Sequence, residues 1–216
     1  GLSDPYVVPA SVTRIEDYAF YFCSALSGVT LPEGLQSIGY GAFVQCDSLG
    51  SLIIPSSVSM IRPGSISECN ALQFITVTEP NENYTSQDGV LFNDDLTTLI
   101  QYPAGKSGSY NVPASVTRIA GWAFINTDGL TGITLPAGLT EIGLSAFYSC
   151  DNLPSIDIPS GVTSLGHTTF AYCASMTSVT FHEGLLSLGE YAFYSCTSLT
   201  SVCLSLIHIS EPTRPY

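Results

Sequence analysis

The chain has 216 residues, 45% hydrophobic and 11% charged, with 19 Gly, 13 Pro and a mean hydropathy of +0.31. Its 18 acidic residues against 5 Lys and Arg give a net charge of −13, which repels phosphate backbones and anionic lipid and argues against nucleic acid as a partner. No apolar run reaches the roughly 18–20 residues of a membrane-spanning helix, so the hydrophobicity is spread over many short buried strands and no segment inserts directly into a membrane.

The opening residues, Gly1 to Pro5, carry neither the basic nor the apolar region of a signal peptide. Tyr6-Val7-Val8-Pro9 echoes Tyr110-Asn111-Val112-Pro113, which predicts a further insertion and more repeats ahead of Gly1 in a larger parent protein. A period of 23 residues then organises the chain, with three repeats in residues 1–78 and four more in residues 113–203. Phe20, Phe43, Phe124, Phe147, Phe170 and Phe193 share one column, with Ile66 in the third repeat, each preceded by a small residue such as Ala19, Ala42, Ser65 or Ala123. Pro9, Pro32, Pro55, Pro113, Pro136 and Pro159 form a second column, which His182 continues. Apolar residues follow each proline at three and six positions, as in Val12 and Ile15 or Leu139 and Ile142.

Each repeat reads as one rung. A short strand such as Val29-Thr30-Leu31 or Ile133-Thr134-Leu135 has the period-2 alternation of a half-buried strand, and the proline that follows ends it because proline cannot donate to a ladder. A polar turn and a second short strand lead to the Ala-Phe pair, which the pattern predicts on a single helical turn. One rung cannot bury its apolar face alone; seven stacked rungs share a core.

Between the two repeat blocks, residues 79–112 break the register. The apolar runs Val90-Leu91-Phe92 and Leu96-Thr97-Thr98-Leu99-Ile100, separated by Asn93-Asp94-Asp95, predict a β-hairpin insertion. At the other end, residues 204–216 leave the repeat pattern. Leu204 to Arg214 can be encoded by a nucleotide string resembling a transposase adapter used for sequencing libraries, so this tail is expected to be non-native.

The repeat P-x-x-V-T-x-I-x-x-x-A-F-x-x-C-x-x-L-x-x-I-x-I-P, carried almost whole by Pro113 to Leu135, resembles the BspA-type (Treponema pallidum-type) leucine-rich repeat across about residues 6–204. The resemblance implies a β-rich leucine-rich-repeat solenoid of short parallel strands, and the Asp88-Gly89-Val90-Leu91-Phe92 element is similar to one that interrupts repeats in that family. It further implies a cell-surface or secreted protein that adheres to protein or glycan ligands. The alternative is a passive spacer that presents another domain of the parent protein.

No catalytic pattern is present: there is no H-E-x-x-H, P-loop, G-x-G-x-x-G or Ser-His-Asp arrangement, and His167, His182 and His208 fall in different columns. The chain is therefore read as non-catalytic, with no cofactor and no metal. Six of the 7 cysteines (Cys23, Cys46, Cys69, Cys150, Cys173, Cys196) form a column that Thr127 interrupts, without the C-x-x-C pairing of a zinc site; they read as buried structural thiols. The next column (Ser24, Asp47, Asn70, Asp128, Asp151, Thr197) reads as side chains closing a turn onto nearby amides. Asn93-Asp94-Asp95 lacks the ligand spacing of a calcium loop, and Asn83-Tyr84-Thr85 fits a glycosylation sequon.

The candidate binding face is the outward stripe of the strands, Thr30, Ile53, Thr76, Thr134, Asp157 and Thr180, with Phe74 in the flanking column. In leucine-rich repeats these strands line the hollow side, which would make Ile53 and Phe74 apolar anchors of a shallow docking surface. β-propensity alone also accounts for stacked threonines. A second aromatic set, Tyr18, Tyr21, Trp122, Tyr148, Tyr191 and Tyr194, surrounds the Ala-Phe turns and suits either an interface or a covered solenoid edge.

Overall fold

A computed structural model of the chain describes residues 5–205. Its rungs stack into a β-solenoid with three sides. Along the first side run Tyr6–Val7 with Val29–Thr30, Ser51–Ile54 with Phe74–Val77, Gly108–Asn111 with Leu130–Thr134, and the trio Ser155–Ile158, Ser178–His182 and Ser201–Ser205. Pairing here is parallel and mostly at the repeat interval, as in Leu52 with Ile75 and Ile156 with Val179. The alternation anticipated from sequence is present: Leu52, Ile54, Ile75 and Val77 are buried, while Ser51, Ile53, Phe74 and Thr76 face out.

The second side is built from two-residue strands. Arg14–Ile15, Ser37–Ile38 and Met60–Ile61 form one parallel sheet; Thr98–Gln101, Arg118–Ile119, Glu141–Ile142, Ser164–Leu165 and Ser187–Leu188 run parallel in a second. Between the two sides each proline carbonyl accepts a hydrogen bond from the amide three residues on, as from Leu35 to Pro32 at 3.0 Å and from Val116 to Pro113 at 3.0 Å.

The third side carries the Ala-Phe pair and differs from the expected helical turn: no helix is assigned among the described residues. Successive turns take its place, with amides of Ala19, Tyr21 and Cys23 donating to the carbonyls of Glu16, Tyr18 and Phe20. The reason is backbone handedness. Residues two before and two after each phenylalanine are left-handed, for instance Tyr18 (φ 60°) and Phe22 (φ 59°), or Trp122 (φ 60°) and Asn126 (φ 52°), and a right-handed helix cannot run through them. Each such residue other than glycine costs about 1–2 kcal/mol. In return, alternate amides turn toward the next rung: Tyr18, Phe20 and Phe22 donate to the carbonyls of Tyr40, Ala42 and Val44 at 2.8, 2.8 and 2.9 Å.

The phenylalanines of these turns stack through the interior. Ring centroids are 5.1 Å apart for Phe20 and Phe43, 4.8 Å for Phe124 and Phe147, and 5.1 Å for Phe147 and Phe170. Burying each such side chain contributes about 1.5–3 kcal/mol. Tyr102, at an interval of 22 rather than 23 residues, joins the stack, its ring 5.0 Å from Phe124.

The insertion is a three-stranded antiparallel meander, Tyr84–Gln87, Val90–Asn93 and Thr98–Gln101. The expected hairpin around Asn93 to Thr97 is joined by a second, closed by Asp88 (φ 51°) and Gly89 (φ 77°). Val90 and Phe92 face the core of the later rungs and Leu91 that of the earlier ones, so the middle strand is buried on both faces. Buried Asn81 fastens the meander to the third rung: its amide nitrogen donates to the carbonyls of Val58 (3.0 Å) and Pro55 (3.3 Å), and its oxygen accepts from the amides of Asn83 and Tyr84. At the far end, Leu204 and Ser205 pair with Phe181 and His182; the remainder of the expected non-native tail, residues 206–216, lies outside the described residues.

Candidate functional site

The first side presents its outward residues in register. Thr30 pairs with Val7, Ile53 with Thr76, Thr134 with Asn111, and Asp157 with Thr180. Ile53 and Phe74 are 58% and 54% exposed on neighbouring strands, so these apolar groups are presented together. Phe74 is not a bare anchor, however. The Lys106 ammonium lies 5.2 Å from its ring centroid and is held there by donating to the Asp88 carbonyl at 2.8 Å, while a Cβ on Gly89 would come within 2.8 Å of the ring. The meander therefore supplies one wall for Phe74.

The stripe is also interrupted. No ladder joins Val29–Thr30 to Ser51–Ile54, or Leu130–Thr134 to Ser155–Ile158, so the outward residues form separate patches. At the second break a cleft of about 470 Å³ opens, bordered by Thr134, Leu135, Asp157, Pro159 and His182. Here Asp157 Oδ1 and His182 Nε2 are hydrogen-bonded at 2.8 Å. Asp157 sits opposite Thr180, and His182 lies two residues further along the same face, which makes them a diagonal cross-strand pair. The stripe expectation includes Asp157 and passes over His182, because histidine stands in the proline column. Its position 25 residues beyond Asp157, one repeat plus two, is the signal that places it there. Threonine hydroxyl, carboxylate, imidazole and unpaired strand edges together offer hydrogen bonds in both directions to a polar ligand.

The other polar columns are used internally. Cys46, Cys69, Cys150, Cys173 and Cys196 each donate a thiol hydrogen bond to the phenylalanine carbonyl of the preceding rung. Burial pushes the Cys150 thiol well above its ordinary range, which keeps it protonated. In the next column Asn70 Nδ2 donates to Asp47 Oδ1 at 2.9 Å, a contact between rungs rather than onto an amide of the same turn; one position beyond that column, Asn152 Nδ2 donates to the Asp128 carbonyl at 2.9 Å. Burial and the neighbouring Asp151 charge raise the Asp128 carboxyl. In the Asn93 to Thr97 turn, Asp95 Oδ1 accepts from the Thr97 hydroxyl and amide and from Asn93 Nδ2; these bonds, led by the Thr97 hydroxyl, hold its carboxyl low. Among the described residues no three His, Cys, Asp or Glu side chains converge as metal ligands, and no helix is long and apolar enough to cross a membrane.

Several outer aromatics pack on one another. Tyr148 and Tyr172 ring centroids are 5.1 Å apart, Tyr172 and Tyr194 5.4 Å, and Tyr191 and Tyr194 5.7 Å; Tyr18 and Tyr21 pair edge-on at 5.9 Å. Trp122 instead lies near Tyr40, ring centroids 6.4 Å apart.

A model of the BspA type leucine-rich repeat region matches residues 4–107 and 101–211, in six copies. Among solved structures, the pneumococcal vaccine antigen PcpA is 27% identical with a TM-score of 0.89, over 94% of this chain and 51% of that one. A leucine-rich cell surface protein of Faecalibacterium prausnitzii is 29% identical (TM-score 0.70), over 95% of this chain and 60% of that one. A leucine-rich repeat protein of Eubacterium ventriosum is 25% identical (TM-score 0.72), over 92% and 65%. The chain thus spans between half and two-thirds of the length of these structures. No curated protein matches the chain.

Proposed function

The chain belongs to the BspA-type leucine-rich-repeat family, and from that premise we propose that it is a non-catalytic binding module of a larger cell-surface or secreted protein, recognising protein or glycan through the strand-lined face. The observation that carries this reading is the outward row itself: buried residues alternate with Ile53, Phe74 and Thr76 in one patch and with Asp157 and Thr180 in another, where exposed Thr134 and the Asp157–His182 pair border the cleft. Solenoids of this kind use such extended faces for partners that span several repeats. The relative described as a cell surface protein, aligned over 95% of this chain, supports a surface location.

The test is a binding screen of the full chain against immobilised extracellular-matrix proteins and a glycan array, repeated with Ile53→Asp plus Phe74→Asp and with Asp157→Ala plus His182→Ala. Loss of a hit in either pair assigns the face and the patch. Hits that survive both pairs move recognition elsewhere. A chain that captures nothing leaves the solenoid as a spacer that presents another domain of the parent protein.

A further inference from the structure

Two residues before the phenylalanine column (Ile66 in the third repeat) the backbone is left-handed in all seven repeats, yet the side chain there varies: Tyr18, Gly41, Gly64, Trp122, Ser145, Thr168, Tyr191. Glycine occupies two consecutive rungs, and the column is empty of side chains over that stretch. The neighbouring aromatics lean over the gap from both ends. A Cβ on Gly41 would come within 2.6 Å of the Tyr18 ring, and one on Gly64 would lie 3.6 Å from the Trp122 ring, which reaches back from beyond the meander. Tyr40 stands between them, edge-on to Trp122. The result is an open recess of about 260 Å³ with three aromatic walls.

Glu68 borders the same recess. One of its oxygens accepts from Gln45 Nε2 at 3.0 Å; the other accepts no hydrogen bond from the described residues. Close by, the Arg62 guanidinium lies 5.7 Å from the Tyr40 ring centroid. The two charges decide the class of ligand. Arg62 lies outside the recess lining, yet its charge over the Tyr40 ring weakens that wall for an alkylammonium group, and a phosphate or carboxylate would meet Glu68. A neutral molecule with an apolar face and a hydroxyl edge meets neither conflict. Its polarised C–H groups can lie on the electron-rich ring faces, and a hydroxyl can donate to the open Glu68 oxygen in a charge-assisted bond.

We propose that the recess between Tyr18, Tyr40 and Trp122 is a subsite for one pyranose ring of a neutral glycan. It involves none of the strand-face residues, so it stands or falls independently of the binding face proposed above.

The chain has one tryptophan, Trp122, so intrinsic fluorescence reads this site directly. The full chain is titrated with methyl glycosides of glucose, galactose, mannose and N-acetylglucosamine, and separately with n-butylammonium. The expected result is a saturable change in Trp122 emission with at least one glycoside, at the millimolar concentrations typical of a small open site. Tyr18→Ala and Glu68→Gln, each verified as folded by circular dichroism, weaken that glycoside by about tenfold or more. Tyr191→Ala, in the same column at the far end, leaves it unchanged. The proposal is overturned if no glycoside saturates the signal, if n-butylammonium does so in their place, or if the response survives both recess variants.

Discussion

The Cys150 thiol donates to the carbonyl of Phe124, 3.1 Å away and 26 residues earlier. The relationship recurs from Cys46 to Phe20 at 3.2 Å, from Cys69 to Phe43 at 2.9 Å and from Cys173 to Phe147 at 3.1 Å. Cysteine fits because it is small, mostly apolar and still a weak donor, and the carbonyl it meets is enclosed beneath the ring stack. Thr127 marks the break in the series: its buried hydroxyl has no partner, and in the rung before it the Tyr102 carbonyl already accepts from Gln101 Nε2 at 3.1 Å.

Removing that donor has a defined cost. Cys150→Ala leaves the Phe124 carbonyl without its thiol partner and opens a small void, an expected loss of about 1–3 kcal/mol. Cys150→Ser keeps a donor at the same place and loses less. Urea unfolding of the two variants measures the difference.

Reactivity follows burial. Cys46, Cys69, Cys150 and Cys173 are enclosed, whereas Cys203 is exposed. With iodoacetamide near pH 8, peptide mass spectrometry is expected to find Cys203 labelled in the folded chain and those four labelled only after denaturation. Labelling of Cys150 at the rate of Cys203 in the native chain would contradict the enclosed column.

The left-handed positions offer a route to a more stable chain. Ser195 is exposed with φ 58°, and glycine takes that conformation without the steric penalty of a Cβ. Ser195→Gly is expected to gain up to about 1 kcal/mol and Ser195→Val, β-branched at positive φ, to lose at least as much. Thermal melts of the two variants against the parent chain give the order.

Asp128 and Asp151 put like charges on adjacent rungs where the earlier block has Asn70 donating to Asp47. Asp151→Asn is expected to restore that arrangement and raise the melting temperature by about 1–2 °C at pH 7. Burial and the Asp151 charge raise the Asp128 carboxyl above its unfolded value, so its ionised form subtracts stability at neutral pH and the penalty lifts as pH falls through the raised value. The advantage of Asp151→Asn therefore shrinks on acidification toward about pH 4. A gain that grows in acid would contradict the account.

Much of the solenoid is legible in the sequence because its core repeats nearly residue for residue: the phenylalanine, proline and cysteine columns each keep one role, with Ile66, His182 and Thr127 as the exceptions. The Ala-Phe turn was harder to read. Its handedness is set at positions occupied by Tyr, Gly, Trp, Ser and Thr alike, so only Gly41 and Gly64 hint at positive φ, and the inter-rung hydrogen bonds that hold it are made by backbone. Asp88-Gly89 is a legible hairpin signal that the apolar runs around Asn93 overshadow. The Asp157–His182 contact and the Tyr40–Trp122 approach join residues in different columns, and a reading confined to one column at a time cannot bring them together.

The strand Val90–Asn93, packed on Leu91 by one set of rungs and on Val90 and Phe92 by the other, has a consequence for how such a chain can change length. Gene duplication or deletion of a 23-residue unit inside either block joins like surface to like surface and leaves every neighbour matched. The meander has no equivalent freedom, since its two faces differ and it cannot be repeated in register: Leu91 fills the core of the earlier rungs, Val90 and Phe92 that of the later ones, and Thr98–Gln101 carries the ladder on to Arg118–Ile119. Growth and shortening are thereby directed to the rungs on either side, with the meander as a fixed landmark.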